Sequence, residues 1–507
     1  KSIQKRYIGG IMRIANETQK ITSITDIRQF FAENEVPLYF FSASPFNLLG
    51  INEWVKKFNY IMLLDCFDGK LPQCKVPKQY TPQSFDSIES ICNYLLQHKD
   101  IVDQLRSARE SNCKKSGAFF LFFNEETERI CSELELPIYF PNVSMLKEMD
   151  SKIVTTEIGN AANVPSVPNI LEKIDSFDKL NALAEQHGLG DKWVIQTAYG
   201  DSGKTTFFVE NELEYNQFSD QIESEDRVKV MKRIHCQETA IEACVTRCGT
   251  VVGPLMTELI GEPQLTPYQG GWCGNTLSSD DFNDELRKKV QDAVIRLGDE
   301  LARRGYKGYF EVDFLRDLET NEMYLGEMNP RITGITAMTN LSEFSQSTLP
   351  LFLFHIIEFM DIDYSFDVED YNQRSLYNAS AQTWSQLIFK HPQDELRLIT
   401  DAPQSGIWSL DDGVLNYQGM ATHRRAVQEE NQGFYLRLSK ESDYLYKGAD
   451  LGVLFIPHQL KAVDGRLTDI AQSWVTAISD AYESRELTEE EQLIIARHQN
   501  PGQLKAF

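Results

Sequence analysis

The residues best suited to do chemistry lie on a predicted β-hairpin, residues 308–331. Two apolar runs of strand character, residues 309–315 and 323–328, flank a polar turn, which is the pattern of two paired strands. Each arm carries an acid among its apolar residues, Asp313 on the first arm and Glu327 on the second. An acid in an apolar strand is costly unless it is paired with a cation or bound to a metal. The hairpin is therefore a candidate metal site.

Asn329 extends this pattern, because it follows Glu327 by two residues and both side chains then point to the same face of an extended strand. Two carboxylates and an amide oxygen are hard ligands, of the kind that suits Mg²⁺ bound to phosphates. Taken alone, the acids are more typical of an ordinary hairpin whose carboxylates face solvent. The choice between these interpretations depends on the motifs upstream.

The segment 193–209 is a candidate phosphate-binding loop. Residues 198–205 nearly match the pattern G-x-x-x-x-G-K-[ST], with Ala198 in place of the first glycine. A P-loop must open a helix, whose N-terminal amides hold the phosphates. The residues that follow, Thr-Thr-Phe-Phe-Val, are instead typical of a strand. The segment predicts a strand, a glycine-containing loop and a second strand, with the P-loop as the lesser alternative.

The ending Glu327-Met-Asn-Pro-Arg331 resembles the metal-binding core of the ATP-grasp superfamily, in its biotin carboxylase-like and carboxylate–amine ligase branch. The resemblance implies that Asp313, Glu327 and Asn329 hold Mg²⁺, or Mn²⁺ in its place, on ATP. It also implies that Arg331 faces the reacting phosphoryl or acyl group. Asp313, directly before a phenylalanine, fits the metal role better than Glu311, which becomes a candidate substrate-facing acid.

The same resemblance assigns residues to the phosphates of ATP. Lys152 stands before a helix and a Val-Pro segment, where the family carries a phosphate-contacting lysine, although a lysine there is more often a solvated charge. The family's flexible lid matches residues 193–209. The family normally has a lysine on the first lid strand, and this chain has Gln196 there, so Lys204 is expected to supply the missing charge during catalysis. The loop positions expected over the phosphates are Gly200, Ser202, Gly203 and Lys204.

A strand over residues 228–234 resembles the hinge whose backbone pairs with adenine in this family. The matching positions are Met231, Lys232, Arg233 and Ile234. Glu238, on the next predicted strand, matches an acid that meets ribose or metal, although alone it is more typical of a strand-edge surface acid.

The elements that must position these residues predict an α/β and α+β protein. Continuous apolar strands alternate with helices between residues 30 and 145, which indicates a parallel sheet covered on both faces. With the resemblance, the chain is expected to have an ATP-grasp fold with an N-terminal parallel-sheet (pre-ATP-grasp) domain and a C-terminal α+β domain. The expected domains are 1–148, 149–345 with a lid at about 165–233, and 346–507.

Residues 253–279 are rich in Gly, Pro and polar residues, and predict a functional loop next to the acceptor substrate. The segment contains no basic residue, whereas biotin carboxylases have a basic segment here, so its composition argues against carboxylation. Cys273 has no identifiable histidine partner and is interpreted as an ordinary loop cysteine. Residues 332–347, rich in Thr, Ser and Asn, are expected to form a loop beside the same site.

Composition restricts the partners. The net charge of −25 argues against nucleic acid and against an anionic membrane surface, since both need a basic footprint. The nine cysteines show no CxxC pair or disulfide spacing, and residues 1–20 lack a signal-peptide core, so a cytoplasmic location is expected. The partners should be small-molecule carboxylate and amine substrates. The oligomeric state stays open, with a homodimer as one option.

The leading functional hypothesis is an ATP-dependent carboxylate–amine ligase that makes an amide or peptide bond on a small metabolite and releases ADP and phosphate. Its demands are positioning and charge neutralisation rather than covalent chemistry. A biotin carboxylase-like carboxylating enzyme is the first alternative. A non-catalytic nucleotide-binding protein, suggested by Gln196, is the second.

Overall fold

The structure is a computed structural model that describes residues 20–78, 85–110, 116–200, 205–378, 382–462 and 465–492. Its first sheet is parallel, as the apolar strands predicted, and helices lie beside it. The strands, in the spatial order third, second, first, fourth, are β1 (Leu38–Ser42), β2 (Phe58–Met62), β3 (Cys74–Lys75) and β4 (Gly117–Phe120). The helices of this region are α1 (Ile24–Ala32), α2 (Ile88–Gln97), α3 (Lys99–Glu110) and α4 (Glu125–Glu133).

Two helices, α5 (Val143–Met149) and α6 (Lys152–Ala161), lead to a small antiparallel sheet that we call the lid sheet. Its strands pair in the order β5-β8-β6-β7, and two helices cover it. These strands are β5 (Asn169–Glu172), β6 (Trp193–Gln196), β7 (Thr206–Val209) and β8 (Val228–Lys232). The covering helices are α7 (Phe177–Gln186) and α8 (Glu212–Ser224).

The largest sheet has ten strands, and it continues from the predicted hairpin into the C-terminal part of the chain. Its strand order is 13-12-9-10-11-14-20-18-16-17. The first five strands along the chain are β9 (Cys236–Thr246), β10 (Gly249–Ile260), β11 (Trp272–Leu277), β12 (Gly308–Asp317) and β13 (Met323–Asn329). The later five are β14 (Trp384–Lys390), β16 (Gly406–Asp411), β17 (Val414–Gly419), β18 (Gln432–Arg437) and β20 (Asp450–Ile456).

The remaining strands form a three-stranded sheet near the C-terminus, in the order 19-15-21. They are β15 (Arg397–Asp401), β19 (Tyr444–Leu445) and β21 (Glu483–Glu486). Helices that pack on the large sheet or follow it are α9 (Asp284–Arg303), α10 (Thr336–Asn340), α11 (Glu343–Ser347), α12 (Leu351–Phe359), α13 (Val368–Asn378) and α14 (Asp469–Asp480). The C-terminal part is thus α+β, and since β14 pairs with β11 the predicted division at residue 346 stays a prediction.

Two loop predictions were wrong. Residues 253–279 contain most of β10 and all of β11, and only the connection between these strands is irregular. Glycine and polar residues can occupy central strands of a sheet whose neighbours satisfy the backbone hydrogen bonds, so composition alone misassigned the segment. Residues 332–347 likewise contain the short helices α10 and α11.

A buried histidine connects the N-terminal sheet to the hairpin. His355, on α12, accepts a hydrogen bond at Nδ1 from the Tyr309 amide (3.0 Å), and its Nε2 lies 2.6 Å from the Tyr139 carbonyl oxygen. Burial lowers the pKa of His355 to about 3, so the ring is neutral and its Nε2–H donates to that carbonyl. This bridge fixes the start of β12 relative to the first sheet.

In the described part of the chain, no helix has the length and apolar character needed to cross a membrane. The eight cysteines within that part are free thiols.

Candidate active site

Four oxygen-bearing side chains of the hairpin meet on one face. Asp313 lies directly opposite Glu327 in the antiparallel pair of β12 and β13, and Glu311 lies opposite Asn329. Asn329 Nδ2 donates to Glu311 Oε2 at 2.9 Å and is 3.5 Å from Asp313 Oδ2. The structure therefore brings together the three predicted metal ligands and the neighbouring acid. The predicted hairpin itself is confirmed.

Glu258 on β10 adds a further carboxylate that the sequence interpretation missed. Its pKa is raised to about 8, first by burial and then by the charges of Glu238 and Glu327. Burial also raises the pKa of Glu311 and of Asp313 well above their ordinary values, and repulsion among these acids adds to the effect. We call these four side chains the acidic face: Glu258, Glu311, Asp313 and Glu327.

A divalent cation fits the acidic face by the chemistry of its donors. All are carboxylate or amide oxygens, and the cost of crowding buried carboxylates is relieved by a cation. No group of three or more His, Cys, Asp or Glu side chains in the described ranges is arranged to hold a metal ion as it stands. The predicted set has two carboxylates, Asp313 and Glu327, and would take its further oxygens from Asn329 and from bound phosphates.

Lys152 is the first residue of α6, and its side chain is 7 % exposed. Its Nζ lies 2.6 Å from Glu327 Oε2 and donates to the Gly200 carbonyl oxygen at 3.1 Å. The Lys152 amide also donates to the Ala198 carbonyl oxygen at 2.9 Å. The predicted phosphate lysine thus joins the acidic face to the loop that follows β6.

Arg331 lies at the border between the acidic face and a larger cavity. One of its terminal nitrogens donates to Asn329 Oδ1 at 2.7 Å, and its guanidinium carbon is 4.6 Å from the centre of the Phe122 ring. Asp150 lies near it, and burial raises the pKa of that carboxyl while the Arg331 charge opposes the rise. The arginine is held by an amide on one side and an aromatic ring on the other.

The loop between β6 and β7 has the predicted strand–loop–strand arrangement, so the P-loop alternative was wrong. The β-branched and aromatic residues after the loop form β7, which pairs with β6 instead of opening a helix. Gln196 Nε2 donates to Thr206 Oγ1 at 3.2 Å, and Gly200 lines the cavity. Three predicted phosphate-binding residues lie outside the described residues: Ser202, Gly203 and Lys204.

The predicted hinge spans the end of β8 and the connection to β9. Met231 is buried, and the amides of Lys232 and Arg233 donate to the carbonyl oxygens of Pro168 (3.0 Å) and Lys192 (2.9 Å). If adenine bound at this hinge, its edge would therefore pair with the Ile234 amide and with carbonyl oxygens.

The side chains of Arg233 in the hinge and of Glu238 on the next strand point in different directions. Arg233 forms a salt bridge with Glu210 at 2.6 Å and covers the Phe208 ring, so its side chain is directed along the lid sheet. Glu238 is half-buried on β9, and its charge acts on Glu258, which places it beside the acidic face.

The acidic face opens into a cavity of about 580 Å³ that continues past Arg331. A cavity of this size can hold a small molecule beside a bound metal. Its far walls come from the first sheet region, from the connection after β10 and from the C-terminal part of the large sheet. They are lined by Asn47, Asp86, Ser87, Glu89, Leu121, Phe122, Thr266, Tyr268, Trp272, Lys390 and Gly448.

Lys390 puts a cation on the far wall that no residue of the segment 253–279 could provide. It ends β14 and forms a 2.9 Å salt bridge with Asp450. Cys273, by contrast, is buried in β11, with its Sγ 3.3 Å from the Leu259 carbonyl oxygen. Burial raises the pKa of its thiol to about 12, so it is not a nucleophile.

Beside the acidic face and on the same side of the sheet, Glu242 on β9 lies directly opposite Glu311 and is fully buried. Its carboxylate accepts hydrogen bonds from Tyr309 Oη (2.7 Å), from Thr333 Oγ1 (3.2 Å) and from Thr336 Oγ1. Burial raises its pKa to about 7 despite these donors. Through these hydrogen bonds, Glu242 connects the start of β12 to the segment that follows Arg331.

Sequence reasoning missed two charged residues of the site, Glu258 and Lys229. Lys229 lies on β8, is fully buried and donates from Nζ to the Gly326 carbonyl oxygen at 3.2 Å. A usable signal was present for both, because a charged residue stands inside a run of strand-forming apolar residues.

No protein-family model matches the chain, and no curated protein matches it in sequence. Solved structures do match it. Biotin carboxylase from Campylobacter jejuni, in complex with β,γ-ATP, is 13 % identical with a TM-score of 0.59, and the match covers 92 % of this chain and 96 % of that one. N5-carboxyaminoimidazole synthase from Aspergillus clavatus, in complex with ADP and 5-aminoimidazole ribonucleotide, is 12 % identical with a TM-score of 0.52 over 88 % and 99 %.

The biotin carboxylase domain of 2-oxoglutarate carboxylase from Hydrogenobacter thermophilus, a dimer with MgADP and bicarbonate, matches with 13 % identity and a TM-score of 0.51 over 95 % and 92 %. Identities this low show the fold alone. The fold expected from the sequence resemblance is confirmed.

Proposed function

Because the chain has the ATP-grasp fold in its biotin carboxylase-like arrangement, we propose that it is an ATP-dependent carboxylate–amine ligase. The observation that carries this proposal is the meeting of the acidic face with the buried Lys152 in one cavity that continues past Arg331. Acids that can hold Mg²⁺, a lysine that can hold phosphate and room for a further small molecule are the three parts that such a reaction requires.

In the proposed reaction, the γ-phosphoryl group of ATP is transferred to a substrate carboxylate. The bond between the γ-phosphorus and its bridging oxygen breaks, and an acyl phosphate and ADP form. An amine then attacks the acyl carbon, the C–N bond forms, and phosphate and a proton leave. Bound Mg²⁺ neutralises phosphate charge throughout.

The chain's own residues have separate tasks in this scheme. Asp313, Glu327 and Asn329 hold the metal, and Lys152 binds the phosphates. Arg331, fixed by Asn329 and Phe122, stabilises the oxyanion that develops as the amine adds. The described start of the loop after β6 lies next to the proposed phosphate position, since Gly200 lines the cavity and accepts a hydrogen bond from Lys152.

One observation favours the carboxylating alternative. Lys390 supplies, from the C-terminal part of the chain, a basic residue on the wall of the cavity that Arg331 also lines, and the segment 253–279 lacks one. Bicarbonate could be bound by such a pair of cations. The ligase proposal needs no bicarbonate, so the two functions differ in their substrate requirement.

The test is to incubate the purified protein with ATP, Mg²⁺ and pooled carboxylates and amines, and to measure nucleotide and phosphate products. The ligase proposal predicts ADP and phosphate only when a carboxylate and an amine are both present. Turnover that depends on bicarbonate would instead support carboxylation. Nucleotide binding without turnover would support a non-catalytic protein, and release of AMP and pyrophosphate would contradict all three. Free thiols fit a cytoplasmic setting for this reaction, which is part of the proposal.

A further inference from the structure

Lys229 is a buried cation that forms no ion pair with the described residues. Its side chain is fully buried on β8, and among the described residues Nζ donates one hydrogen bond, to the Gly326 carbonyl oxygen at 3.2 Å. It forms no salt bridge with any residue in the described part of the chain. Its pKa is lowered to about 8, mainly by burial; the charge of Glu327 opposes this shift and the charge of Lys152 adds to it. A buried ammonium in this state is stabilised when an anion arrives beside it.

The register of the lid sheet places Lys229 beside the position where the family's lysine is absent. Gln196 lies directly opposite Lys229 in the antiparallel pair of β6 and β8, and opposite Thr206 in the pair of β6 and β7. Residues directly opposite in an antiparallel pair have their side chains on the same face. Lys229 thus stands on the face of the lid sheet that Gln196 occupies, one strand away.

The ammonium of Lys229 also lies at the acidic face. Its hydrogen-bond acceptor, Gly326, directly precedes Glu327, and the charges that act on Lys229 are those of Glu327 and Lys152. Lys152 is 2.6 Å from the same Glu327. The two buried lysines therefore approach one carboxylate from different elements, α6 and the lid sheet.

We propose that Lys229 binds the phosphates of the nucleotide in place of the lysine that is absent at position 196. The inference rests on the proposed function, because it presumes that a nucleotide binds here. The competing explanation for the buried lysine is a purely structural one, in which Lys229 only donates a hydrogen bond to the Gly326 carbonyl oxygen and binds no ligand.

The experiment measures binding of MgATP and of adenosine by calorimetry, together with the melting temperature. The variants are Lys229→Met, Gln196→Lys/Lys229→Met and, as a control on an exposed lysine of α7, Lys179→Met. Lys229→Met should weaken MgATP binding by roughly tenfold to a hundredfold, the range for a charged hydrogen bond, and leave adenosine binding unchanged. The double variant, which moves the lysine back across the register, should recover most of the MgATP affinity.

The melting temperature separates a ligand role from a structural one. Methionine fills the space of a buried lysine without an unpaired charge, so Lys229→Met should melt at or above the wild-type temperature. Unchanged MgATP affinity in this folded variant, an equal loss of adenosine affinity, or a lowered melting temperature with no recovery in the double variant would each overturn the assignment. If the wild-type protein bound no nucleotide, the proposed function itself would fail.

Discussion

The two sides of the site differ in how their charge is held. The acidic face collects four carboxylates from three strands of one sheet, and burial or mutual repulsion raises the pKa of Glu258, Glu311 and Asp313. The opposite side has two buried lysines, Lys152 on α6 and Lys229 on the lid sheet. In the described chain, one salt bridge, between Lys152 and Glu327, connects them.

This difference indicates which kind of ligand would match the charges of the site. The acids need a cation and the lysines need an anion, and a single salt bridge leaves both needs mostly unmet. In the proposed function, a magnesium–phosphate group would supply both at once, with the metal on the acidic face and the phosphates between the lysines.

The largest effect is expected when Glu327, the carboxylate that connects the two sides, is removed. Glu327→Gln takes away a predicted metal ligand and the partner of Lys152, and we expect turnover to fall by about a thousandfold or more. ADP release measured against wild type checks this, with circular dichroism to confirm folding. Glu322→Gln on the exposed turn of the same hairpin, where the carboxylate forms a salt bridge with Lys289, is the control and should keep its activity. Activity retained in Glu327→Gln would mean that the metal assignment is wrong.

Glu242→Gln tests whether the buried carboxyl group beside the acidic face titrates. The pKa of Glu242 is about 7 in the folded protein against an ordinary value of 4.5, so the folded state favours its protonated form. The stability that this gives is present below the lower pKa and is lost as the pH rises through the higher one. Relative to the Gln variant, the wild-type free energy of unfolding should fall by about 3 kcal/mol between about pH 4.5 and pH 8.

Urea unfolding of both proteins across this pH range measures the difference. Groups that titrate elsewhere affect both proteins alike and cancel, apart from those coupled to Glu242 itself. A difference that is constant with pH, or that grows in favour of the wild type, would show that Glu242 is already ionised in the folded protein.

Arg331→Lys tests the role of the residue between the acidic face and the cavity that continues past it. Lysine keeps the charge but lacks the planar group that stacks on Phe122 and reaches Asn329. We expect kcat to fall by about tenfold to thirtyfold, with MgATP affinity changed by less than about twofold. Steady-state kinetics together with direct nucleotide binding separate the two quantities. A loss confined to nucleotide affinity would place Arg331 on the phosphates and not on the acyl group.

The smallest effect is expected outside both charged sides. Cys273→Ser replaces a buried thiol that contacts the Leu259 carbonyl oxygen, so we expect turnover within about twofold of wild type and a stability cost of about 1 kcal/mol. Initial rates and thermal melting check this. Loss of turnover in a folded Cys273→Ser protein would revive a covalent mechanism.

The sequence predicted the acidic hairpin because every signal for it is local. The alternation around Asp313 and Glu327 and the spacing of Asn329 hold within a few residues, and strand geometry alone places them on one face. To predict Glu258 as a site residue, β10 had to be predicted first, and the glycine-rich composition of the segment 253–279 led to a loop prediction instead. Lys229 could be connected to Gln196 only through the pairing order of the lid sheet, which places strands that are not consecutive in the chain side by side.

The cavity beyond Arg331 shows the same limit. Its walls combine Phe122, Trp272 and Lys390, which lie far apart in the chain. Trp272 and Lys390 belong to the large sheet, which continues from β11 into β14, and Phe122 follows the last strand of the first sheet. No local pattern predicts such a convergence.

Calorimetric titration of the wild-type protein with ATP, with and without Mg²⁺, tests the central claim most directly, because it needs no knowledge of the other substrates. If the acidic face holds the metal and the lysines hold the phosphates, ATP should bind in the presence of Mg²⁺ and at least about tenfold more weakly without it, since the bare triphosphate meets unneutralised carboxylates. Glu327→Gln should lose most of this dependence on Mg²⁺. Equal affinity with and without the metal, or no binding in either condition, would contradict the account.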